Sequence, residues 1–361
     1  MGKGISVFVG MDKSLKENLD YIKKAHKHGF DRIFTSLHIP EANYGYVVDD
    51  FNEITKLAKK LGMNIVADIS PRAFNYLKAD MNDIKSISDL KIDVIRVDFG
   101  FTPNEIALFT QNLYGIKIEI NASTVTERFL EEFEMNNPNY KMFQASHNYY
   151  PRLNTGISEA LLIKKNKLLR KYGVEISAFI PSQVGKRGPI YEGLPTLEEH
   201  RFMKPSICAK QLLALGTDNV FFGDYMANED ELKSVGELDE NILELNIELM
   251  TNNYLEQKII FSEFHINRAD YSSDVIRSTY SREKSVKKDK IFPQNNIDRK
   301  IGYITIDNVD YLRYCGELQV CIKNLPADRR VNVVGKVVQE EVFLLKYIKE
   351  EKKFRFIEKK F

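Results

Sequence analysis

Cysteine is scarce in this sequence: Cys208, Cys315 and Cys321 are all it has in 361 residues. No two stand in a C-x-x-C spacing, and an odd count cannot close a disulfide framework, so a reducing compartment is expected. Charge of one sign is lacking too. Lys and Arg total 52 against 51 Asp and Glu, a net charge of +1. That excludes a nucleic-acid binder working through a strong basic field. No apolar run reaches membrane-spanning length, and the N-terminus has no signal-peptide core. A cytoplasmic chain with no nucleic-acid and no membrane partner is the expectation. The opening MGKGIS fits a myristoylation pattern only by chance, because the apolar run at 4–9 begins a strand. The short basic run SVKKDK, 285–290, reads as a solvated loop.

Nucleotide and metal motifs are missing as well. FVGMDKSLK follows the first apolar run without the glycine spacing of a phosphate loop. There is no H-E-x-x-H and no cysteine cluster, so no metal and no cofactor are expected. The alternative is Mg²⁺ held by three acids, Asp68, Asp98 and Glu119.

What is present is an alternation, in a chain whose 43% hydrophobic content suffices for a sizeable core. ISVFV at 5, RIFTSL at 32, NIVADIS at 64, VIRVDFG at 94, IKIEIN at 116, MFQASHN at 142, VEISAFI at 174 and NVFFGDY at 219 read as strands. Helical stripes separate them. SLKENLDYIKKAHKHG sets Leu15, Leu19, Ile22 and Ala25 on one face, with Ser14 as N-cap and Gly29 past the end. DDFNEITKLAKKLG and SEALLIKKNKLLRKYG close in the same way on Gly62 and Gly173. Eight βα units of about 30 residues predict an α/β fold, a (β/α)8 TIM barrel over 1–236. From 237 the pattern changes. ILELNIELM, KIIFSEFHI, GELQVCI, RVNVVGKVV and EVFLLKYI read as strands of a smaller β-rich domain, 237–361.

Two of the barrel strands are oddly filled. VIRVDFG carries Arg96 and Asp98 on one face, and IKIEINAS carries Lys117, Glu119 and Asn121 opposite its isoleucines. Buried charge costs stability unless something compensates. In a barrel, catalytic groups sit at the C-terminal strand ends. Asp68 ends the third run, Asp98 the fourth, Glu119 and Asn121 the fifth. His147, Asn148 and Tyr150 follow the sixth, Ser182 and Gln183 the seventh, and Asp224 the eighth. The structural alternative is an ion-pair lattice in which Arg96 and Lys117 neutralise Asp68, Asp98 and Glu119. His147 reads equally well as a core histidine. Acids at three successive strand ends favour a site over a lattice. Paired carboxylates without a metal suggest acid–base or glycosyl-transfer chemistry. Asp98 and Glu119 lie on neighbouring strands about 5 Å apart, the separation of a retaining glycosidase pair. With Asp68 they are the candidate catalytic groups.

Nine segments have a familiar order: GISVF, GFDRIFTSL, ADISP, IRVDFGF, NLYGIKIEINAS, SHNYYP, TLEEHR, GELQV and VNVVG. From residue 4 to past 350 they resemble a bacterial family first described as outer surface proteins and since placed as intracellular 6-phospho-N-acetylmuramidases. The resemblance implies a TIM barrel followed by a cyclophilin-like β domain. It implies hydrolysis of the β-1,4 bond between N-acetylmuramic acid 6-phosphate and N-acetylglucosamine, in cell-wall recycling. The partner is then a small phosphorylated amino-sugar disaccharide; the oligomeric state is left open. The family's motifs fall on Asp68, Arg96, Asp98, Lys117, Glu119, Asn121, His147, Asn148 and Tyr150, and on an interdomain run with His265, Arg268, Arg277, Ser278 and Thr279. Two positions depart from the family: Gln183, where it carries His, and Asn267, where it carries Arg.

The substrate's chemistry suits these residues. A lactyl carboxylate needs a cation, which Arg96 or Lys117 could supply. An acetamido group needs an amide-type partner such as Asn121 or Asn148, and could itself act as internal nucleophile. Ser182 and Asp224 complete the expected substrate contacts. The 6-phosphate needs Arg, Lys or N–H donors. Arg268, Arg277 and Ser278 are preferred, because the resemblance covers them. SQVGKRGP, with Lys186 and Arg187 after the seventh run, is the other candidate. Two further readings stay open: a phosphosugar isomerase or lyase on the same barrel face, and a non-catalytic phosphosugar sensor.

Overall fold

The computed structural model describes residues 2–11, 13–36, 44–69, 84–284 and 290–359. Of the features singled out above, Leu37, Ser70, Pro71 and residues 285–289 of the basic run lie outside the described residues. The chain divides into two compact units, Met1–Glu237 and Leu238–Phe361.

In the first unit, alternation of buried apolar residues produces eight short strands: β1 (Gly2–Ser6), β2 (Arg32–Ser36), β3 (Asn64–Asp68), β4 (Val94–Val97), β5 (Lys117–Asn121), β6 (Phe143–Ser146), β7 (Glu175–Ile180) and β8 (Asn219–Phe222). Each pairs in parallel with the next, and β8 returns to β1 through Gly2↔Asn219 and Gly4↔Phe221, closing a TIM barrel. The connecting helices start where side chains satisfy the free N–H groups of the first turn. Ser14 and Glu17 form a capping box at the helix Leu15–Lys27, and Ser158 caps Glu159–Arg170. The helix Tyr44–Lys60 starts earlier than the run at Asp49 suggested.

Inward-facing side chains divide the barrel interior. Phe34, Phe179 and Phe221, from β2, β7 and β8, pack with Phe8, Val66, Val94 and Tyr225 into a buried hydrophobic cluster. Gly4 leaves room for this: a Cβ there would lie 2.0 Å from the Phe221 ring. The interior of β4 to β6 carries Arg96, Glu119, Gln144 and Ser146 instead, all buried. At the N-terminal end, Glu175 gathers Arg32 at 3.1 Å, Lys117 at 3.3 Å and Asn219 at 2.7 Å, a polar floor.

The second unit is a seven-stranded mixed sheet in the order β10-β15-β9-β14-β12-β13-β11. Its strands are β9 (Leu243–Leu249), β10 (His265–Ile266), β11 (Val275–Arg277), β12 (Tyr303–Asp307), β13 (Leu318–Cys321), β14 (Val331–Val337) and β15 (Lys353–Glu358). β15 pairs with β9 in parallel and the other ladders are antiparallel. Two expected strands are corrected. KIIFSEFHI begins inside a helix, Tyr254–Ile260, and only its last two residues form a strand, β10. Asn253 caps that helix, and buried Glu256 ties it to Thr251, Gln294 and Asn332. EVFLLKYI is a 3₁₀ stretch, Gln339–Tyr347, because Glu341 turns inward to accept from the Asn246 N–H at 2.7 Å and its amide at 2.6 Å. Local polar anchoring outweighs strand propensity in both. The strands β11, β12 and β15 were not foreseen. All three cysteines are free. Among the described residues no helix is long and apolar enough to cross a membrane.

Candidate active site

One guanidinium organises the barrel mouth. The register aligns Asp68, Arg96, Glu119 and Gln144 across β3 to β6, so their side chains share one level and one inward direction. Arg96 is 4% exposed. It donates to Asp68 at 3.3 Å, to Asp98 at 3.2 Å, to the Ser146 hydroxyl at 3.0 Å and to the Asn148 side-chain oxygen. Burial alone would lower its pKa, but Asp68, Asp98 and Glu119 outweigh burial and keep the cation charged.

The three acids differ in exposure. Glu119 is 1% exposed, accepts from Ser146 and from the Gln144 amide, both at 2.6 Å, and lies 3.8 Å from the Arg96 Nε. Burial raises its pKa, against the pull of Ser146 and Arg96. Asp68 and Asp98 reach solvent, with side chains 21% and 30% exposed. Asp98 also accepts from the Asn121 amide at 2.8 Å. Asp68 and Asp98 therefore reach solvent astride Arg96, whereas Glu119, the partner expected for Asp98, is buried. β5 continues one inward position beyond Glu119 to Asn121, so Glu119 is not its end.

The β6 residues split by face. Asn148 points to Arg96. His147 points the other way and is fully buried, between the Ser123 hydroxyl at 3.1 Å and Asn166 at 2.9 Å. Burial lowers its pKa to about 4, so the ring is neutral near pH 7. Asn166 gives an oxygen to Nε2, which assigns the proton to Nε2 and leaves Nδ1 to accept from Ser123. Ser123 in turn accepts from the Asn148 N–H at 3.1 Å. His147 thus steadies Asn148 from behind and does not face the mouth, contrary to the expected substrate contact. Tyr150 is half-buried beside Ser123, and burial raises its pKa.

Other expected contacts are distributed elsewhere. Lys117 starts β5 and bonds Glu175 at the polar floor, at the opposite end from the mouth. Ser182 and Asp224 are fully buried. Asp224 accepts from the N–H groups of Ser182, Arg187 and Leu194, each at 3.0 Å, and Ser182 donates to Glu231 at 2.7 Å. They fold the loops after β7 and β8. Gln183 donates to the carbonyls of Arg201 and Met203. The phosphate candidates lie in the second unit and already have partners there. Arg268 grips Asp270 at 2.6 and 2.9 Å, Arg277 bonds Glu317 at 2.8 Å, and Ser278 meets the ring of buried His265 at 3.0 Å. Thr279 and Asn267 bond backbone carbonyls.

Gln144, Ser146, Ser123, Phe8 and Tyr149 were missed as parts of the site. The signal for Gln144, Ser146 and Asn148 was legible as period-two polarity in MFQASHN. Among the described residues, no three His, Cys, Asp or Glu are grouped to hold a metal ion.

A closed (β/α)8 barrel with a charged mouth defines the class: a barrel enzyme. Sequence models of the 6-phospho-N-acetylmuramidase N-terminal and C-terminal regions match residues 3–237 and 243–357. An uncharacterized B. cereus protein of known structure is 32% identical, covers 99% of both chains and superposes with a TM-score of 0.89. A conserved Enterococcus faecalis protein of unknown function is 31% identical over 99% of this chain and 97% of its own, at 0.73. No curated protein matches. The chain belongs to the 6-phospho-N-acetylmuramidase family and is a glycosidase.

Proposed function

We propose that the chain hydrolyses the β-1,4 bond of N-acetylmuramic acid 6-phosphate–N-acetylglucosamine, with Asp98 and Asp68 as the working carboxylates. The observation that carries the assignment is the pair of solvent-reaching acids bracketing Arg96. Glycoside hydrolysis needs one group to protonate the leaving oxygen and one to act on the anomeric carbon, directly or through water. Asp98 and Asp68 divide those tasks. Arg96 fixes both carboxylates, and Glu119, through Ser146, fixes Arg96. Glu119 is a positioning residue, since substrate cannot touch a side chain that is 1% exposed. Asn121 orients Asp98, and Asn148 offers an amide to the acetamido group.

The setting we propose is cytoplasmic recycling of cell-wall fragments, with a cyclophilin-like second domain. Three free cysteines support a reducing compartment, and the sequence resemblance supports the rest. Incubation of the full chain with the phosphorylated disaccharide should release free N-acetylglucosamine. Binding without release would sink the hydrolase reading in favour of a sensor, and isomerised or eliminated sugar would favour the other enzyme class.

A further inference from the structure

Arg187 is the unabsorbed residue of the mouth. It sits on the loop after β7, with its guanidinium carbon 4.3 Å from the centre of the Phe8 ring and 5.3 Å from that of Tyr149. One Nη donates to the Tyr149 hydroxyl at 3.3 Å, while the buried Nε has no partner. No carboxylate pairs with it among the described residues. Phe8 follows β1, Tyr149 follows β6 and Arg187 follows β7, so all three stand at the C-terminal face, above the aromatic half of the interior. Arg96 is the contrary case, one guanidinium among three carboxylates.

A second feature lies at the rim beyond Asp98. A pocket of about 200 Å³ opens between the tops of β4 and β5 and the helices Pro103–Phe109 and Glu127–Glu134. Phe99, Phe101, Phe129 and Val125 give it apolar walls, with Asp98 and Asn121 at its inner edge. Phe99 is 58% exposed. Among the described residues its lining has no cation, and Asp98 is its one ionisable group.

We infer that the disaccharide lies across the mouth with its anionic muramic half toward Arg187 and its neutral N-acetylglucosamine half in the Phe99 pocket. This deepens the hydrolase reading and rests on it. The Asp98 carboxylate at the pocket's inner edge disfavours an anionic sugar there. The unpaired Arg187 fork attracts an oxyanion, the 6-phosphate or the lactyl carboxylate. A neutral acetamido sugar has no charge to be repelled by Asp98 and presents C–H faces to the phenylalanines. Asp98 then borders both halves, where the bond between the sugars must lie.

The test is calorimetric binding of four monosaccharides to the full chain: N-acetylglucosamine, its 6-phosphate, N-acetylmuramic acid and its 6-phosphate. Arg187→Gln should weaken muramic acid 6-phosphate about tenfold to a hundredfold, the loss of a charge-assisted bond. N-acetylglucosamine should hold within about twofold. Phe99→Ala should do the reverse. If Arg187→Gln weakens both phosphates and spares unphosphorylated muramic acid, the fork reads phosphate. If it weakens both muramic sugars and spares N-acetylglucosamine 6-phosphate, it reads the lactyl group. Both outcomes uphold the orientation. Unchanged muramic acid 6-phosphate affinity in Arg187→Gln overturns it, as does an equal loss of both sugars in Phe99→Ala. Should Arg187→Gln not fold, Arg187→Lys decides, since loss of the fork alone should still weaken the anionic sugar severalfold. These arms need no turnover, so a chain that bound both sugars but cleaved nothing would fail the hydrolase reading and leave the orientation standing.

Discussion

At the scale of single residues, the mouth separates acids that work from an acid that holds. Asp98→Asn and Asp68→Asn should each lower kcat by about a hundredfold or more on the phosphorylated disaccharide, with the fold intact. Glu119 is different. Burial raises its pKa, so a neutral group costs little there, and Gln can accept from Ser146 through its carbonyl oxygen while its NH2 donates to Gln144, whose amide turns over to accept. Glu119→Gln should therefore cost less than about tenfold in kcat, with KM nearly unchanged. Steady-state kinetics on the three variants decide the matter. A Glu119→Gln loss as large as that of Asp98→Asn would return Glu119 to the chemistry and sink the positioning role. The sequence showed that these acids belong together, because charge on the inward face of successive strands is rare without use. It could not show their depth. Depth depends on how neighbouring strands are staggered, and the row Asp68–Arg96–Glu119–Gln144 exists only once the register is known.

At the scale of elements, the loops after β7 and β8 hold each other. Gly185 donates to the Ser182 hydroxyl at 2.8 Å and accepts from the Tyr225 N–H at 3.0 Å. A Cβ at Gly185 would lie 1.9 Å from the Met226 carbonyl oxygen, which is backbone and cannot swing aside. Gly185→Ala should cost about 1–3 kcal/mol of stability, read by denaturant unfolding. It should also raise KM for the phosphorylated disaccharide, since Arg187 rides on the displaced loop. Unchanged stability would mean that the loops do not bear on each other. The barrel itself was legible from alternation between period-two runs and capped amphipathic stripes. The second unit was less so. KIIFSEFHI and EVFLLKYI are apolar enough for strands, but Asn253 and Glu341 set them otherwise through contacts that span from two to nearly a hundred residues. His147, Ser182 and Asp224 stood at the right strand ends yet faced inward to the protein, because a polar residue near a strand end can equally serve the loop beyond it.

At the scale of the whole molecule, the second unit carries a pH-sensitive group of its own. Asp307, on β12, is 3% exposed, and burial together with Glu317 and Asp328 lifts its pKa from 3.8 to about 7, against Arg299 and Arg277. The folded unit thus holds this proton more tightly than the unfolded chain. Stability contributed there is present below about pH 4 and is lost as pH rises toward 7, by at most about 4 kcal/mol. Asp307→Asn should remove that decline. Hydrogen exchange of β12 and β13 amides, corrected for intrinsic rates, should show protection falling from pH 5 to 7.5 in the native chain and holding level in the variant. A parallel fall in both would mean that Asp307 is not the group responsible. The barrel unit carries an asymmetry of another kind, in its divided interior. Phe34, Phe179 and Phe221 form a reserve of cohesion that does no chemistry, whereas β4 to β6 hold the charged groups that a new substrate would have to renegotiate. A laboratory seeking altered sugar preference should vary the walls of the Phe99 pocket, at the tops of β4 and β5, and leave the aromatic side alone. Changes there would spend the tolerance that lets the polar side vary.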